Sequence, residues 1–510
     1  MALAVDMREI TVRFGKVVAN NKIDFQADWG EVHGLVGENG AGKTTLMRVL
    51  YGMYTHYEGN VVINGEPVRF SSPKDAINKG IGMVHQHFSL VPSMTVAENV
   101  VMGKPIYKNG LLDLKKSEEV VAELSKTYGL EINPKTKVSN LTVGLQQRVE
   151  ILKALYLGAE ILIMDEPTAV LTPQEIQQLI ETLKNLKEKG KCIILITHKL
   201  AEVKMVTDRI TVMRTGEVTA KVDTKDTDEK KIATMMVGRE IILEVEKEKF
   251  HPGEVVLDVD NITCLDKMGL PAVKNVSLQV RRGEVVGIAG VQGNGQSELA
   301  DAIAGLLPLM SGKVCINGKQ MGGKNIPLAC RKAGLGHIHD DRMHVGTAGD
   351  MSIRDNFLAS IYRGKELAKG IFLNYSAADK IVEDNVKKFK VKIGKISDDI
   401  SSLSGGNMQK VIIAREMYLN PKILIASQPT RGVDIGAQEF IYQQIIKHRD
   451  AGNAVLLISN ELSEILALSD NILVIYKGEI IGNLTRQEAT EEKIGMLMAG
   501  IRDTERKDAL

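Results

Sequence analysis

A lysine inside a glycine-rich loop and two adjacent carboxylates at the end of an apolar run are the residues of this chain best suited to chemistry. The loop reads Gly37-Glu38-Asn39-Gly40-Ala41-Gly42-Lys43-Thr44-Thr45 and satisfies the pattern GxxxxGK[ST]. It follows the short apolar run "EVHGLVG" and opens a helical pattern. In that context backbone N–H groups and a helix N-terminus cradle phosphates. Lys43 is expected to reach the β- and γ-phosphates, and Thr44 to ligate Mg²⁺. The carboxylates Asp165-Glu166 end the run "EILIMDEP". Asp165 is expected to hold Mg²⁺ directly or through water, and Glu166 to orient and polarise an attacking water as general base. The chemistry this points to is hydrolysis of a nucleoside triphosphate.

Three further segments acquire meaning only from that company. Gln86, in "GMVHQHF", is placed to sense both the metal and a partner; His198, in "LITHKL", ends another apolar strand near where a γ-phosphate would lie. In "LSGGN", Gly405 and Gly406 let backbone approach a phosphate and Ser404 can donate a hydrogen bond. Standing alone, that segment reads as a helix N-cap. His337, His339, Asp340, Asp341 and His344 could suggest zinc, but they align with the loop around Gln86 and read as a polar loop facing a partner.

The alignment exists because the chain repeats itself. "GEVHGLVGENGAGKTTLMRVLYGM" from Gly30 matches "GEVVGIAGVQGNGQSELADAIAGL" from Gly283. "LTVGLQQRVEILKAL" from Leu141 matches "LSGGNMQKVIIAREM" from Leu403, and "ILIMDEPTAVLTPQE" from Ile161 matches "ILIASQPTRGVDIGA" from Ile423. The second glycine loop, with Gly290, Gly293 and Gly295, keeps its frame but carries Gln296-Ser297 where the first has Lys43-Thr44. Continuous apolar runs such as "EILIMDEP" and "KCIILITH" are of strand length and suit parallel strands buried on both faces. Between Phe88 and Asn140 the pattern turns helical and polar, which predicts an inserted helical subdomain. The charged junction "LEVEKEKFHPGE" places a boundary, so the expected domains are residues 1–245 and 255–510 with a linker at 246–254.

At 510 residues the chain is long enough for two or more cores. A net charge of +1 gives no electrostatic reason to expect nucleic acid as the main ligand. The four cysteines show no zinc-finger or thioredoxin spacing, which predicts a reducing compartment. The N-terminus is too short and too charged for a signal peptide, and no apolar run approaches the roughly 18 residues of a membrane helix. Work at a membrane would therefore need partner proteins.

The phosphate loop, Gln86, an LSGGQ-like segment, Asp165-Glu166 and His198 stand in the order found in ATP-binding cassette (ABC) ATPases, and the resemblance covers nearly the whole chain, twice. It implies an α/β fold of two tandem P-loop NTPase domains, each with a mainly parallel core sheet, an antiparallel β subdomain and a helical subdomain. Fused cassettes with a degenerate second copy resemble the ATPase subunits of bacterial sugar and nucleoside importers. "GIGMVHQHFSLVPSMTVAENVVMG" and "AVLLISNELSEILALSD" resemble the nucleoside branch; the ribose and galactose branch tends to read "HQE" at His85-Gln86-His87.

The resemblance implies cassettes facing head to tail, so that one ATP site combines Lys43, Thr44, Gln86, Asp165, Glu166 and His198 with Ser404, Gly405 and Gly406, and Phe14 stacks on adenine. The other site is damaged throughout: Lys43 corresponds to Gln296, Gln86 to Asp340, Asp165 to Ser427, Glu166 to Gln428 and His198 to Asn460. Its opposing signature, Leu141-Thr142-Val143-Gly144-Leu145, keeps one glycine. The resemblance further implies ATP and Mg²⁺ as cofactors, two integral-membrane permease subunits, an extracytoplasmic substrate-binding lipoprotein, and a peripheral position on the cytoplasmic face of the membrane. Nucleic acid is not an expected partner. The competing readings are a soluble tandem cassette acting on ribosomes or DNA, and an exporter ATPase. The short, mixed-charge linker and the damaged second site argue against the first, and dependence on an external binding protein against the second.

Overall fold

The structure is a computed structural model. It describes the chain except residues 1, 16, 86–87, 169–170, 172, 198, 241–246, 249–250, 252, 363, 365–366, 370–371 and 502–510, and the side chains of 173, 174, 368, 369 and 372. The chain divides into two compact units, Met1–Ile241 and Ile242–Leu510.

In the first unit a six-stranded sheet runs in the order Glu217–Asp223, Arg209–Arg214, Val32–Gly37, Cys192–Thr197, Ile161–Asp165, Ile81–Val84. Only the pairing of the first two is antiparallel. Every residue of Val32–Gly37, Ile161–Asp165 and Cys192–Thr197 is buried. Alternation explains why these strands carry no polar face. Ile161 and Ile163 enter one core, together with the helix Lys43–Leu50, while Leu162 and Met164 enter a second core on the opposite face. A separate antiparallel sheet is built from Val5–Phe14, Val17–Ala27, Glu58–Ile63 and Glu66–Val68. Between Ile81–Val84 and Ile161–Asp165 the described residues include the α-helices Val96–Val101, Leu114–Tyr128 and Val143–Tyr156. The first of these is closed by a capping box from Thr95 and Glu98.

The second unit repeats the plan strand for strand. Its six-stranded sheet, read in the same direction, runs Glu479–Thr485, Asn471–Tyr476, Val285–Ala289, Ala454–Ser459, Ile423–Ser427, Leu335–Ile338. Leu424 and Ala426 join one core and Ile423 and Ile425 the other. Ile353–Ile361, Tyr375–Lys388 and Gly405–Tyr418 form the matching helices. Of the junction, Lys247 and Glu248 pack on this unit: Lys247 donates to the Ser469 carbonyl at 3.0 Å and the Glu248 carbonyl accepts from Arg449 at 3.0 Å. Both units are α/β, with a mainly parallel core sheet, an antiparallel sheet and a helical insertion.

Candidate ATP-hydrolysis site

Parallel strands put functional groups at their carboxyl ends, where loops are free to vary. In the first unit the register sets Val36 beside Thr197 and Ile196 beside Asp165, so the glycine loop and the carboxylate pair emerge from one edge with a single strand between them. Glycine is needed in the loop for two physical reasons. Gly40 and Gly42 have φ of 82° and 98°, the left-handed region. A Cβ on Gly42 would lie 2.4 Å from the Ala19 carbonyl oxygen, and one on Gly37 would lie 2.3 Å from that of Met213. The antiparallel sheet and the strand Arg209–Arg214 thus press the loop from two sides.

Lys43, the first residue of its helix, is buried. Its ammonium donates to the Gly37 and Glu38 carbonyls at 2.7 and 3.0 Å. The charge is therefore held inside the loop it must serve. Asp165 is also buried. Burial first, and then the Glu166 carboxylate, push its carboxyl up to about 6, while Lys43, Arg48 and a hydrogen bond from Thr44 pull the other way. A carboxylate, a hydroxyl and an ammonium gathered beside a loop of left-handed glycines are a donor set that fits a triphosphate and a hard divalent cation. Glu166 sits at φ 47°, an uncommon conformation for a residue with a side chain, and its N–H donates to the Ile196 carbonyl at 2.9 Å. Phe14, at the end of its strand, is 46% exposed and meets Tyr54 edge-on with ring centroids 5.3 Å apart. Gln86 and His198 lie outside the described residues.

The second unit keeps this geometry with different atoms. Gly293 and Gly295 have φ of 89° and 95°, and Gln428 has φ 48° with its N–H donating to Ile458 at 2.7 Å. Gln296 reaches the Gly290 carbonyl at 2.9 Å, as Lys43 reaches Gly37, but its second partner is Asn460 Oδ1 at 3.0 Å. Ser297 donates to Asp340 at 2.6 Å. Ser427, where the first unit has Asp165, is buried and neutral. The ammonium, the strand-end acid and the neighbouring carboxylate are all replaced. His339 lies between Asp301 and Asp340, at 3.2 and 3.0 Å, and is held by carboxylates of its own unit.

The segment Ser404-Gly405-Gly406 opens the helix Gly405–Tyr418. Ser404 Oγ caps it by accepting from the Asn407 N–H at 3.4 Å. In the first unit the corresponding helix start is already occupied by an acid: Glu175 Oε1 accepts from the Gly144 N–H at 3.2 Å and from Thr142 at 3.3 Å. Ala437 replaces Glu175 in the second copy, where its Cβ would be 3.7 Å from one built on Gly406.

Sequence reasoning missed a buried pair behind each strand end. Thr168 donates to Glu202 at 2.6 Å and Thr430 to Glu464 at 2.7 Å. The recurrence of proline-threonine after both strand ends was the available signal. Burial pushes the Glu464 carboxyl up to about 7, against hydrogen bonds from Ser459 and Thr430. The folded-state value lies above the unfolded one, so the penalty is absent below about pH 4, grows as pH rises through the interval, and is complete above about pH 7. Glu464→Gln is therefore expected to raise the thermal midpoint at pH 8, by roughly 2–4 kcal/mol of stability at most, and to leave it unchanged at pH 4. Calorimetry at the two pH values checks this.

A family model described as "ABC transporter" matches residues 20–169 and 273–431. The chain is 47% identical to the guanosine import ATP-binding protein of Bacillus subtilis, covering 98% of each. It is 45% identical to a nucleoside import ATP-binding protein of Lactococcus lactis (97% of this chain, 98% of the relative) and 44% identical to a glucose import ATP-binding protein of Haloferax volcanii (97% and 95%). Among solved structures, one described as "RNase-L Inhibitor" superposes with a TM-score of 0.63 over 97% of this chain and 93% of that one; at 18% identity the likeness is one of fold alone. The paired glycine loops, the doubled sheet order and the similarity along nearly the full length lead to one assignment: the chain belongs to the ABC transporter family, as a two-cassette import ATP-binding subunit whose ATP hydrolysis is coupled to transport.

Proposed function

We propose that the chain drives a nucleoside importer from one hydrolytic site, formed by the first cassette's phosphate loop and carboxylates together with the second cassette's Ser404-Gly405-Gly406. The observation that carries this reading is the partition of the replacements. The first loop keeps Lys43, Asp165 and Glu166 beside an acid-blocked signature, and the second loop has lost all three beside an open one. Scattered decay has no reason to respect that division.

Lys43 binds the terminal phosphates, Thr44 and Asp165 hold Mg²⁺ with Gln86, and Glu166 takes up the proton of the attacking water while His198 orients the γ-phosphate. Mg²⁺, held by these residues, would supply charge neutralisation for the phosphates. Phe14 carries the adenine. In the second loop each charged hydrogen bond lost to phosphate removes about 1.5–3 kcal/mol. Hydrolysis there is negligible, while Gly290, Gly293, Gly295 and Ser297 retain a frame for nucleotide.

Partner subunits must carry the motion into the membrane, since among the described residues no helix is long and apolar enough to span one. A cavity of about 130 Å³, lined in part by Tyr51, His85, Ser89, Glu150 and Lys153, is the place we assign to a helix of a permease subunit. Two permease subunits, an extracytoplasmic substrate-binding lipoprotein and a peripheral position on the cytoplasmic face complete the assembly.

Nucleoside as cargo is supported by the two nucleoside-import relatives and by the wording around His85-Gln86-His87. The glucose-import relative, nearly as similar, keeps a sugar as the second reading. Uptake of labelled nucleosides and pentoses by cells with and without the gene tests it. Loss of nucleoside uptake alone is the expected result; loss of pentose uptake alone moves the cargo to sugars.

A further inference from the structure

Arg342 occupies a position that neither the motif nor the family likeness assigns. It begins the short turn Arg342–Gly346, directly after Asp340 and Asp341, and its guanidinium crosses to the signature segment. Nη1 donates to the Arg431 carbonyl at 2.8 Å and, at 3.5 Å, to that of Gly405. The group lies flat against Gly405: a Cβ built there would stand 2.7 Å from Nη2 and 3.0 Å from the guanidinium carbon. Gly432 is also close, with a built Cβ 3.4 Å from Nη2. Among the described residues Arg342 forms no ion pair, and burial together with Arg431 presses its pKa down. An arginine kept in such a place for packing alone would be replaceable by any apolar side chain of similar size.

The first cassette makes that replacement. In the internal alignment Phe88 stands for Arg342 and Val143 for Gly405. The two differences belong together: with a side chain at 405 the Arg342 guanidinium would have to leave its present place, since a Cβ there would stand 2.7 Å from Nη2. The glycine at 405 thus makes room for an arginine, whereas Gly406 has only ordinary van der Waals contact at 3.7 Å. The pair occurs in the copy whose signature is open, and is absent from the copy whose signature is blocked by Glu175.

We infer that Arg342 is a positioning residue for ATP hydrolysis, fixing Gly405 and Arg431 to the segment that follows Asp340. Its Nη1, bonded to the Arg431 carbonyl at 2.8 Å and within 3.5 Å of that of Gly405, ties the turn after Gln428 to the signature backbone. A movement of the loop containing Asp340 is then delivered to the signature without slack. The inference rests on the reading in which the second signature completes the hydrolytic site.

The test is steady-state ATPase activity of the full chain assembled with its membrane subunits. Arg342→Ala is expected to lower kcat about 10- to 100-fold with the KM for ATP changed less than about twofold, and Arg342→Lys to recover part of the loss. A second variant separates positioning from packing. Arg342→Met keeps an unbranched stem but not the donors, and is expected to keep the thermal midpoint while losing kcat as Arg342→Ala does. Wild-type kcat in Arg342→Ala, or in Arg342→Met, overturns the inference. Gly406→Glu run in parallel keeps the two readings apart. Activity retained there sinks the pairing of the second signature with the first loop. Activity lost there, with Arg342→Ala normal, sinks only the role of Arg342.

Discussion

Glu166→Gln is expected to leave ATP turnover at about one hundredth to one ten-thousandth of the wild-type rate while nucleotide binding survives. The substitution keeps size and hydrogen-bonding shape and removes only the ability to accept a proton. Its backbone consequence is already visible, because Gln428 adopts φ 48° against 47° for Glu166 and makes the same N–H bond across the sheet. Glutamine therefore fits this strand end without refolding it, and lost activity can be assigned to chemistry. Removing the carboxylate also removes the charge that helps to push Asp165 up to about 6, so the acid proposed to hold the metal would ionise more readily after the change. Single-turnover hydrolysis and equilibrium binding of ATP on the same preparation check both halves. Turnover near the wild-type rate would remove Glu166 from the role of general base.

Gly406→Glu carries the second large effect. It places a carboxylate at the start of the helix Gly405–Tyr418, where the proposed site needs an anionic phosphate. Gly406 is buried, and a built Cβ meets Ala437 at 3.7 Å and Asp434 Oδ2 at 3.8 Å, so the first added carbon fits while the new carboxylate adds to the charge of Asp434. The first cassette shows the outcome of such a change: Glu175 holds the Gly144 N–H and Thr142, and the helix start is taken. Hydrolysis is expected to fall about 100-fold or more. Leu145→Glu, near the corresponding place of the first copy, is expected to cost far less. ATPase rates for the two variants, measured beside their melting curves, decide it. Equal losses would mean that both signatures serve hydrolysis.

Much of this was legible because the chain contains its own control. Comparison of two copies separates the glycines that shape a loop from the charges that use it, and the sheet order follows from apolar runs whose alternate residues feed two cores. The antiparallel sheet was legible only through the family likeness. Its strands have mixed burial, such as the pattern of Val17–Ala27, and lack the continuous apolar signature of the core strands. What stayed hidden was tertiary. Glu175 lies 31 residues from the Gly144 N–H it blocks, and Arg342 lies 63 residues from Gly405. No local pattern encodes such a pairing, since each residue alone reads as an exposed charge. The Thr168–Glu202 and Thr430–Glu464 pairs were hidden for the opposite reason: a glutamate three residues into a helix suggests solvent, and both are buried.

The left-handed backbone shared by Glu166 and Gln428 has a consequence for how such an enzyme can lose or regain a site. A conformation of this kind costs about 1–3 kcal/mol and persists only where its surroundings enforce it. In the second cassette it persists without the carboxylate it would serve. The scaffold and the reagent are thus separable: the second cassette keeps the frame beneath exchanged side chains, and with it the mould into which an acid would fit.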